Sequence, residues 1–590
     1  MTIFELLLKN KHSFQHVLGW KRNGRLFHLN LQEYKEQIEI HISILNKLGV
    51  SAGSKVGIVA QTSLEWHLFD MASMAMGAIV VPIYTNFTRP DLITIQKALN
   101  IHYFILGNER LIDKFDVQIF KDKTFLVIEE EARGKSGLNL CLYKDILSNL
   151  DPEVRPLEDY VSNLMPDDTC SYLLTSGTTG LPKISIITHK NLFALLENIQ
   201  FFMKDRLKVG SRSLTTLPLA HVLGRCDSLL HIILPVQTVF GESIDSIVSD
   251  LQIIKPTYLV TVPRLIAKLK EKILQNIKSK GSAYQTIFNA AISFSEYFYD
   301  LIEKGKEPKQ FEKIIFLKLQ KSVLSKVRDQ ISPEIKFFVS GGAPLKDEDF
   351  KFFKNLGLPI LEGYGLTETL GPVTLNAFGS PEKGSVGLPF KDIVIKIDED
   401  GEILISGPSV FQGYLNDDGS VDDSSFTNGF FRTGDIGEIL PSGNLKITDR
   451  KKDIIVTSNG KNISPQKIEA LMSTSPRIEH FMTVGEGHSY LTGLVSITKD
   501  GFNDLIDQGV IDVSISYEEM AKNPTVKILV QSEIERLNSE LPGHEQIKKF
   551  TILPLNLNGD SDYLTPSLKI KRDRIYNKYI KDIDAMYPRL

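Results

Sequence analysis

Residues 172–191 read YLLTSGTTGLPKISIITHKN, and every other segment of the 590-residue chain can be placed relative to them. A short apolar run, 172–174, enters a loop holding two glycines, one serine, three threonines and one lysine, and a β-rich run follows at 184–188. Gly177 and Gly180 permit positive φ and close backbone approach, so the loop N–H groups can turn inward. The Ser176, Thr178 and Thr179 hydroxyls add donors, and Lys183 adds a cation. Such a loop is a cradle for a polyphosphate. It is not a Walker A loop, because the spacing GxxxxGK[ST] is absent and the segment beyond it reads as strand.

Composition narrows the classes. The length exceeds what one hydrophobic core supports, so at least two domains are expected, and 42% hydrophobic residues suffice to fill them. A net charge of −4 and a pI near 6.4 supply no basic field for nucleic acid. Three scattered cysteines, Cys141, Cys170 and Cys226, argue against a disulfide framework or a thiolate metal site, and a reducing, cytoplasmic setting is expected. The start, MTIFELLLKNKH, has a Glu inside its apolar run and no positive region before it, so it reads as a docking helix and not as a signal peptide. The longest apolar stretches, 71–84 and 229–240, fall short of the roughly 20 residues a bilayer span needs. Membrane contact is therefore expected to be peripheral, on the inner face.

From Lys55 the text alternates: strand-like VGIVA, a helix near 64–76, strand-like AIVVPIY, a helix after Pro90, then YFILG and TFLVIEE. Strands alternating with helices read as βαβ units in a largely parallel sheet covered on both faces. A helix at 191–203 follows the phosphate loop. Farther on, VIKIDEDGEILISGP carries a DG hairpin signal between alternating hydrophobics, and a small β-barrel is expected there.

TSGTTGLPK followed by ITH resembles the phosphate loop of the adenylate-forming superfamily, which includes acyl-CoA synthetases, peptide synthetase adenylation domains and luciferases. The family usually has glycine after the lysine, where this chain has Ile184. The resemblance implies a two-step reaction in which a carboxylate attacks ATP to give an acyl adenylate and pyrophosphate, and a thiol then displaces AMP. It makes ATP and coenzyme A co-substrates and Mg²⁺ the metal. It also implies that Thr175, Ser176, Gly177, Thr178, Thr179, Gly180 and Lys183 hold the phosphates. LPLAHVLGR, 217–225, resembles the segment whose histidine lines the acyl pocket, which is His221 here. SGGAP, 340–344, supplies Gly342 and Ala343 to the adenine site by the same likeness. In LEGYGLTET, 361–369, the resemblance gives Tyr364 and Gly365 to the nucleotide, Thr367 to the α-phosphate and Glu368 to Mg²⁺.

In FFRTGDIGE, 430–438, Asp435 is the expected ribose ligand, with Phe430 where the family more often has tryptophan. ITDRKKDII, 447–455, supplies Arg450 to ribose and phosphate and Lys452 as the hinge. TSNGKNISP, 457–465, resembles the segment beside the thiol channel and singles out Gly460. LTPSLKIKR, 564–572, matches the long-chain form of the terminal lysine motif and makes Lys569 the catalytic lysine, acting with Lys183, Thr367 and Glu368.

About 75 residues separate VPR, 262–264, from SGGAP, and they are rich in Lys, Glu, Leu, Ile and Phe at helical spacing, including Phe288, Ala291, Phe294 and Phe298. Long-chain fatty acyl-CoA synthetases carry a helical insertion here. The expected fold is α/β: a large N-terminal adenylation domain, 1–449, of two doubly wound subdomains plus the small barrel, a hinge at 450–452, and a smaller mobile α+β domain, 453–590, carrying Lys569. The expected function is ATP-dependent conversion of a long-chain fatty acid to its coenzyme A thioester. The alternatives are a fatty acyl-AMP ligase serving a carrier protein and a non-catalytic fatty-acid-trapping protein. Oligomeric state stays open, a homodimer included.

Overall fold

The run KVGIV forms strand Lys55–Val59, buried at four of five positions, as expected for a strand covered on both faces. It pairs in parallel with Ile79–Pro82 on one side and Tyr103–Asn108 on the other, and Thr124–Glu129 continues the same parallel set. Thr169–Thr175 joins Ile79–Pro82 in parallel, and the chain then returns antiparallel as Lys183–Thr188. The computed structural model describes every residue except 11–15, 131–136, 151–154, 176–182, 244–245, 380, 508, 510, 513, 555–556, 558–562, 564–569 and 588–590. Its contacts divide the chain into two units: Met1–Ile395 with Ile405–Phe431 and Leu440–Leu445, and Lys396–Leu404 with Arg432–Ile439 and Lys446–Leu590.

A second parallel set in the first unit is built from Ser211–Thr215, Val236–Phe240, Tyr258–Thr261, Phe337–Ser340 and Ile360–Leu366. Two α/β sheets in one unit agree with the expected doubly wound architecture. Residues before Lys55 have a role the sequence did not announce. Leu18–Arg22 adds in parallel to Val236–Phe240 and turns back as Arg25–Leu29. The N-terminal helix Ile3–Lys9 is closed by a reciprocal Thr2–Glu5 capping box and buries Ile3, Phe4 and Leu7.

The long helical stretch forms Pro263–Ser279, Ser282–Glu303 and Gln310–Leu319. Its apolar spacing drives Leu269, Ile273, Phe288 and Ala291 into one core with Phe338, Phe353 and Ile360 of the second sheet. Phe294 stays half-buried and Phe298 is buried. Among the described residues no helix is long and apolar enough to cross a membrane.

The second unit has a three-stranded sheet. Ile478–Val484 runs antiparallel to Leu491–Ile497, which pairs in parallel with Ile547–Ile552. Helices Pro465–Met472 and Pro524–Asn538 contribute Ile468, Met472, Val530 and Ile534 to one core. The terminal helices Arg572–Lys578 and Ile580–Met586 bury Ile575, Ile583 and Met586 in another.

Two features of the first unit lead to measurements. Strand Ile360–Leu366 has a bulge between Tyr364 and Gly365, and a Cβ on Gly365 would lie 1.7 Å from the Gly371 carbonyl oxygen. Gly365→Ala is expected to cost about 3 kcal/mol or more, because backbone must move. Gly342→Ala meets nothing within 4 Å, but its φ of +81° is left-handed, so about 1 kcal/mol is expected. Thermal melts of the two variants check the ranking, and equal stability of Gly365→Ala and the parent protein would contradict it.

The second feature is a set of buried histidines. Burial pushes His41 and His189 down to about 4 and His231 down to about 3, and lowers His67 as well. The folded state thus favours the neutral ring, so this contribution is complete above the unfolded value near 6.5 and is lost as pH falls toward about 4. At pH 5 the loss is roughly 1 to 2 kcal/mol for each of His41, His189 and His231. Melts at pH 7.5 and pH 5 are expected to show this fall, and His189→Leu is expected to shrink it. A variant with an unchanged fall would refute the assignment.

Candidate functional site

The phosphate-loop motif is a hairpin connection in this fold, with Thr175 ending one strand opposite Lys183 starting the next. The Thr175 hydroxyl donates to the Lys183 carbonyl at 3.3 Å. Ser176, Gly177, Thr178, Thr179 and Gly180 lie outside the described residues. Lys183 has a partner that sequence reading missed: its Nζ sits 4.4 Å from the ring centroid of Tyr414. A cation over an aromatic face is attracted by the ring quadrupole. The Tyr414 hydroxyl then donates to Glu368 Oε1 at 2.7 Å, and burial together with that carboxylate pushes the phenol well up from its ordinary value. One tyrosine therefore joins the expected phosphate lysine to the expected metal carboxylate.

Register explains the meeting. Tyr414 lies in the short strand Tyr414–Leu415, opposite Ser185 of the lysine-bearing strand. Glu368 lies in the 3₁₀ turn Thr367–Thr369, whose form is set by Thr369. That side chain accepts from the Leu366 N–H at 2.8 Å and donates to the Gly371 carbonyl at 2.8 Å. The Phe411 N–H also bonds the Glu368 carbonyl at 2.8 Å. Thr367 is thereby held next to Glu368 on one tight turn.

The expected adenine-site residues lie at the ends of neighbouring strands. Ser340 pairs with Glu362, so Gly342 and Ala343 follow directly from a position beside the segment that leads to Tyr364 and Gly365. Ligands of open α/β sheets bind at such carboxyl ends. Tyr364 is 7% exposed. Burial pushes the Glu362 carboxyl up to about 7 against a bond from the Leu345 backbone.

His221 caps helix Val222–Leu229, its Nδ1 accepting from the Leu223 N–H at 3.2 Å. A Cβ on Gly341 would lie 3.7 Å from the Leu223 side chain and 3.4 Å from the Gly363 carbonyl, so this helix, SGGAP and LEGYG come together. The helix is anchored by Arg225, which donates to both oxygens of Asp70 at 2.9 and 2.6 Å and to the Ser171 hydroxyl at 2.8 Å. Asp70, fully buried, carries a carboxyl that burial raises and Arg225 lowers. Losing one partner of such a pair costs about 3 to 5 kcal/mol. An aspartate inside the apolar helix LEWHLFDMASMA was the available signal, since such residues are rarely buried unpaired.

Behind the Glu368 turn is an apolar gap lined by Leu173, Ile187, Leu195, Val222, Cys226 and Leu370. It encloses about 10 Å³, room for one water. Close-packed side chains fill the space.

In the second unit Asp435 is 3% exposed, and Arg450 Nε reaches its Oδ1 at 3.0 Å, bringing the two expected ribose residues together. The Asp435 N–H bonds the Thr433 hydroxyl at 3.1 Å, and the Gly434 N–H bonds Glu402 at 2.9 Å. Glu402, 4% exposed at its side chain, also accepts from Arg432 at 2.5 Å and Lys451 at 2.9 Å. Lys452 next to it is exposed. Gly460 occupies the turn of the hairpin Ile455–Val456 and Asn462–Ile463 with φ of +68°.

Lys569 lies outside the described residues. Arg572, three positions on, donates to Glu469 at 2.6 Å and to the Thr483 carbonyl at 2.7 Å. The Lys571 N–H bonds the Tyr563 carbonyl at 2.9 Å. The end of the lysine motif is thus tied to the second unit's core.

Residues 17–415 match the model of the AMP-binding enzyme family, and 452–590 match that of the AMP-binding enzyme C-terminal domain. The chain is 31% identical over 564 residues to long-chain-fatty-acid–CoA ligase FadD15 of Mycobacterium bovis, covering 94% of this chain and 91% of that one. It is 28% identical over 571 residues to long-chain-fatty-acid–CoA ligase 5 of Mus musculus, covering 90% and 80%. In fold it is similar to the anthranilate CoA ligase AuaEII in complex with anthranoyl-AMP, with a TM-score of 0.72, 16% identity and coverage of 100% and 98%. With both of its parts matched in sequence order, the chain belongs to the AMP-binding enzyme family.

Proposed function

We propose that this protein converts a long-chain fatty acid to its coenzyme A thioester through an acyl adenylate. The observation that carries this reading is the Lys183–Tyr414–Glu368 contact at the end of the phosphate-loop hairpin, in a chain whose relatives are named long-chain-fatty-acid–CoA ligases. In the first half-reaction a carboxylate oxygen bonds to the α-phosphorus of ATP, and the bond to pyrophosphate breaks. In the second a thiol sulfur bonds to the acyl carbon, AMP leaves, and the thiol proton is released.

The obstacle is charge. Two unit charges of like sign at 4 Å repel by about 1 kcal/mol in water but about 4 at an effective dielectric of 20, so partial burial raises the barrier unless cations offset it. Lys183 would meet the β- and γ-phosphates, and Thr367 the α-phosphate. Lys569 would bridge the substrate carboxylate and α-phosphate. Positioning and electrostatics carry such a transfer without a protein nucleophile. Asp435 would accept from the ribose hydroxyls, with Arg450 steadying it, and the face of Tyr364 would pack on adenine.

Mg²⁺ fits the residues present. Among the described residues no group of three acidic or histidine side chains forms a protein cage. A single carboxylate, Glu368, beside a phosphate-loop lysine is the donor set of an ion bound largely through phosphates and water. Bound there, it would supply neutralising charge at the phosphates.

The described residues on either side of the lysine motif, Tyr563 and Ile570, belong to a different unit from Lys183, so rotation about Lys452 would bring Lys569 in for adenylation and remove it for thioester formation. Gly460 would then border the thiol channel. Each methylene buried along an apolar path near His221 would add about 0.8 kcal/mol, which favours long chains.

Three experiments test this. Purified protein with magnesium is expected to exchange labelled pyrophosphate into ATP with palmitate, with kcat/KM rising from C8 to C16, and to yield the thioester when coenzyme A is added. Exchange without thioester would make it an acyl-AMP ligase, and no exchange would reject the reading. Lys569→Ala is expected to lose adenylation by orders of magnitude yet convert supplied acyl adenylate, and equal loss of both halves would reject its role. Tyr414→Phe keeps the ring under Lys183 but removes the bond to Glu368. A rate loss of about tenfold is expected, the scale of one charge-assisted hydrogen bond, with the melting temperature nearly unchanged. An unaltered exchange rate would show that the tyrosine does not position Glu368.

A further inference from the structure

Helix Gln310–Leu319 turns Phe311, Ile314, Ile315 and Leu317 outward, at 56, 46, 39 and 65% exposure. Its other face is tied down. Phe316 stacks on Phe298 with 4.0 Å between ring centroids, and the Tyr297 hydroxyl donates to Glu312 at 2.8 Å. At 100° per residue the four outward side chains fall on one arc of the helix, with Lys318 inside it. Lys304, Lys306 and Lys309 precede the helix, Lys321 follows it, and each of these is exposed. Across 304–321 there are six lysines and two glutamates. Glu312 is buried, Lys313 pairs with Glu307 at 2.9 Å and Lys304 with Asp300 of the preceding helix at 2.6 Å, so the basic border rests on Lys306, Lys309, Lys318 and Lys321. The preceding helix, Ser282–Glu303, also carries Ile287 and Ile302 at 54 and 50% exposure.

Single exposed apolar residues are ordinary, but four within seven positions on one helical face, bordered by lysines, mark an interaction surface. Its charge selects the occupant. A second copy presenting the same face across a two-fold axis would set these lysines against one another. An anionic bilayer attracts each lysine and takes phenylalanine, isoleucine and leucine into the headgroup boundary.

We propose that this outward face, with its flanking lysines, is a docking surface for an anionic lipid membrane, holding the protein where apolar acids are dissolved. The surface is independent of the residues assigned to catalysis. The test is co-sedimentation of the full chain with vesicles of phosphatidylcholine alone and of phosphatidylcholine mixed with phosphatidylglycerol, at low and high salt.

The parent protein is expected to bind the mixed vesicles, weakly or not at all the neutral ones, and to be released by salt. The variants Phe311→Ser/Leu317→Ser and Lys306→Glu/Lys309→Glu/Lys318→Glu are each expected to lose about tenfold or more in partitioning. Both are expected to keep the parent melting temperature and pyrophosphate exchange with dissolved octanoate. Equal binding to both vesicle types, no binding, or variants that bind like the parent would overturn the proposal. So would a dimer in solution that the serine variant dissociates. Vesicle binding with no exchange on any fatty acid would sink the catalytic reading and leave the surface standing.

Discussion

The geometry of the first unit depends on a strand register. Lys183 starts the strand Lys183–Thr188, and Tyr414 is paired opposite Ser185 of that strand. That pairing sets the tyrosine ring 4.4 Å below the lysine ammonium and lets the hydroxyl reach Glu368 at 2.7 Å. Because side chains alternate across a strand, a slip of one residue would move the whole set to the other face. A cation and a carboxylate separated by an aromatic ring are steadied without neutralising each other directly. Both remain suited to charged phosphate chemistry, which is what the proposed reaction asks of them.

Around this contact the fold uses buried polar pairs as fasteners. Arg225, on the helix that His221 caps, is clamped to Asp70 and Ser171, so the expected acyl-pocket histidine stands on a helix fixed to the opposite sheet's elements. In the second unit Arg572 is clamped to Glu469 close to the lysine motif, and Arg450 to Asp435. Burying such charges is costly, and each pair tolerates burial only because the donors of the guanidinium are largely matched by acceptors. His221 and the terminal lysine motif sit next to such pairs, whereas Asp435 and Arg450, both expected at the ribose, form one themselves.

The motifs of the expected site could be picked out because they are short and contiguous. SGGAP, LEGYGLTET and the terminal lysine motif took their expected roles from family resemblance, whereas the glycines, hydroxyls and lysine of the phosphate loop can be read from local chemistry. The strand and helix alternation after Lys55 was readable for the same reason, since hydrophobic period is a local property. Tyr414 was not readable. It lies 46 positions from Glu368, within a two-residue strand whose partner is chosen by the fold. Nor was the placement of Leu18–Arg22 beside Val236–Phe240, because a parallel pairing across more than 200 residues leaves no mark on local spacing.

Sequence alone was enough for the chemistry on offer: which cations, hydroxyls and carboxylates the chain carries, and that α/β elements present them. Folding settled their company. It put an aromatic ring between Lys183 and Glu368, an aspartate under Arg225 and an arginine against Asp435, and it left the apolar face of Gln310–Leu319 uncovered. The reason is one of range. Turn and helix preferences act over a few residues, whereas partners in a sheet or a buried ion pair are selected by how distant segments share one core, and that selection exists only once the whole chain has packed.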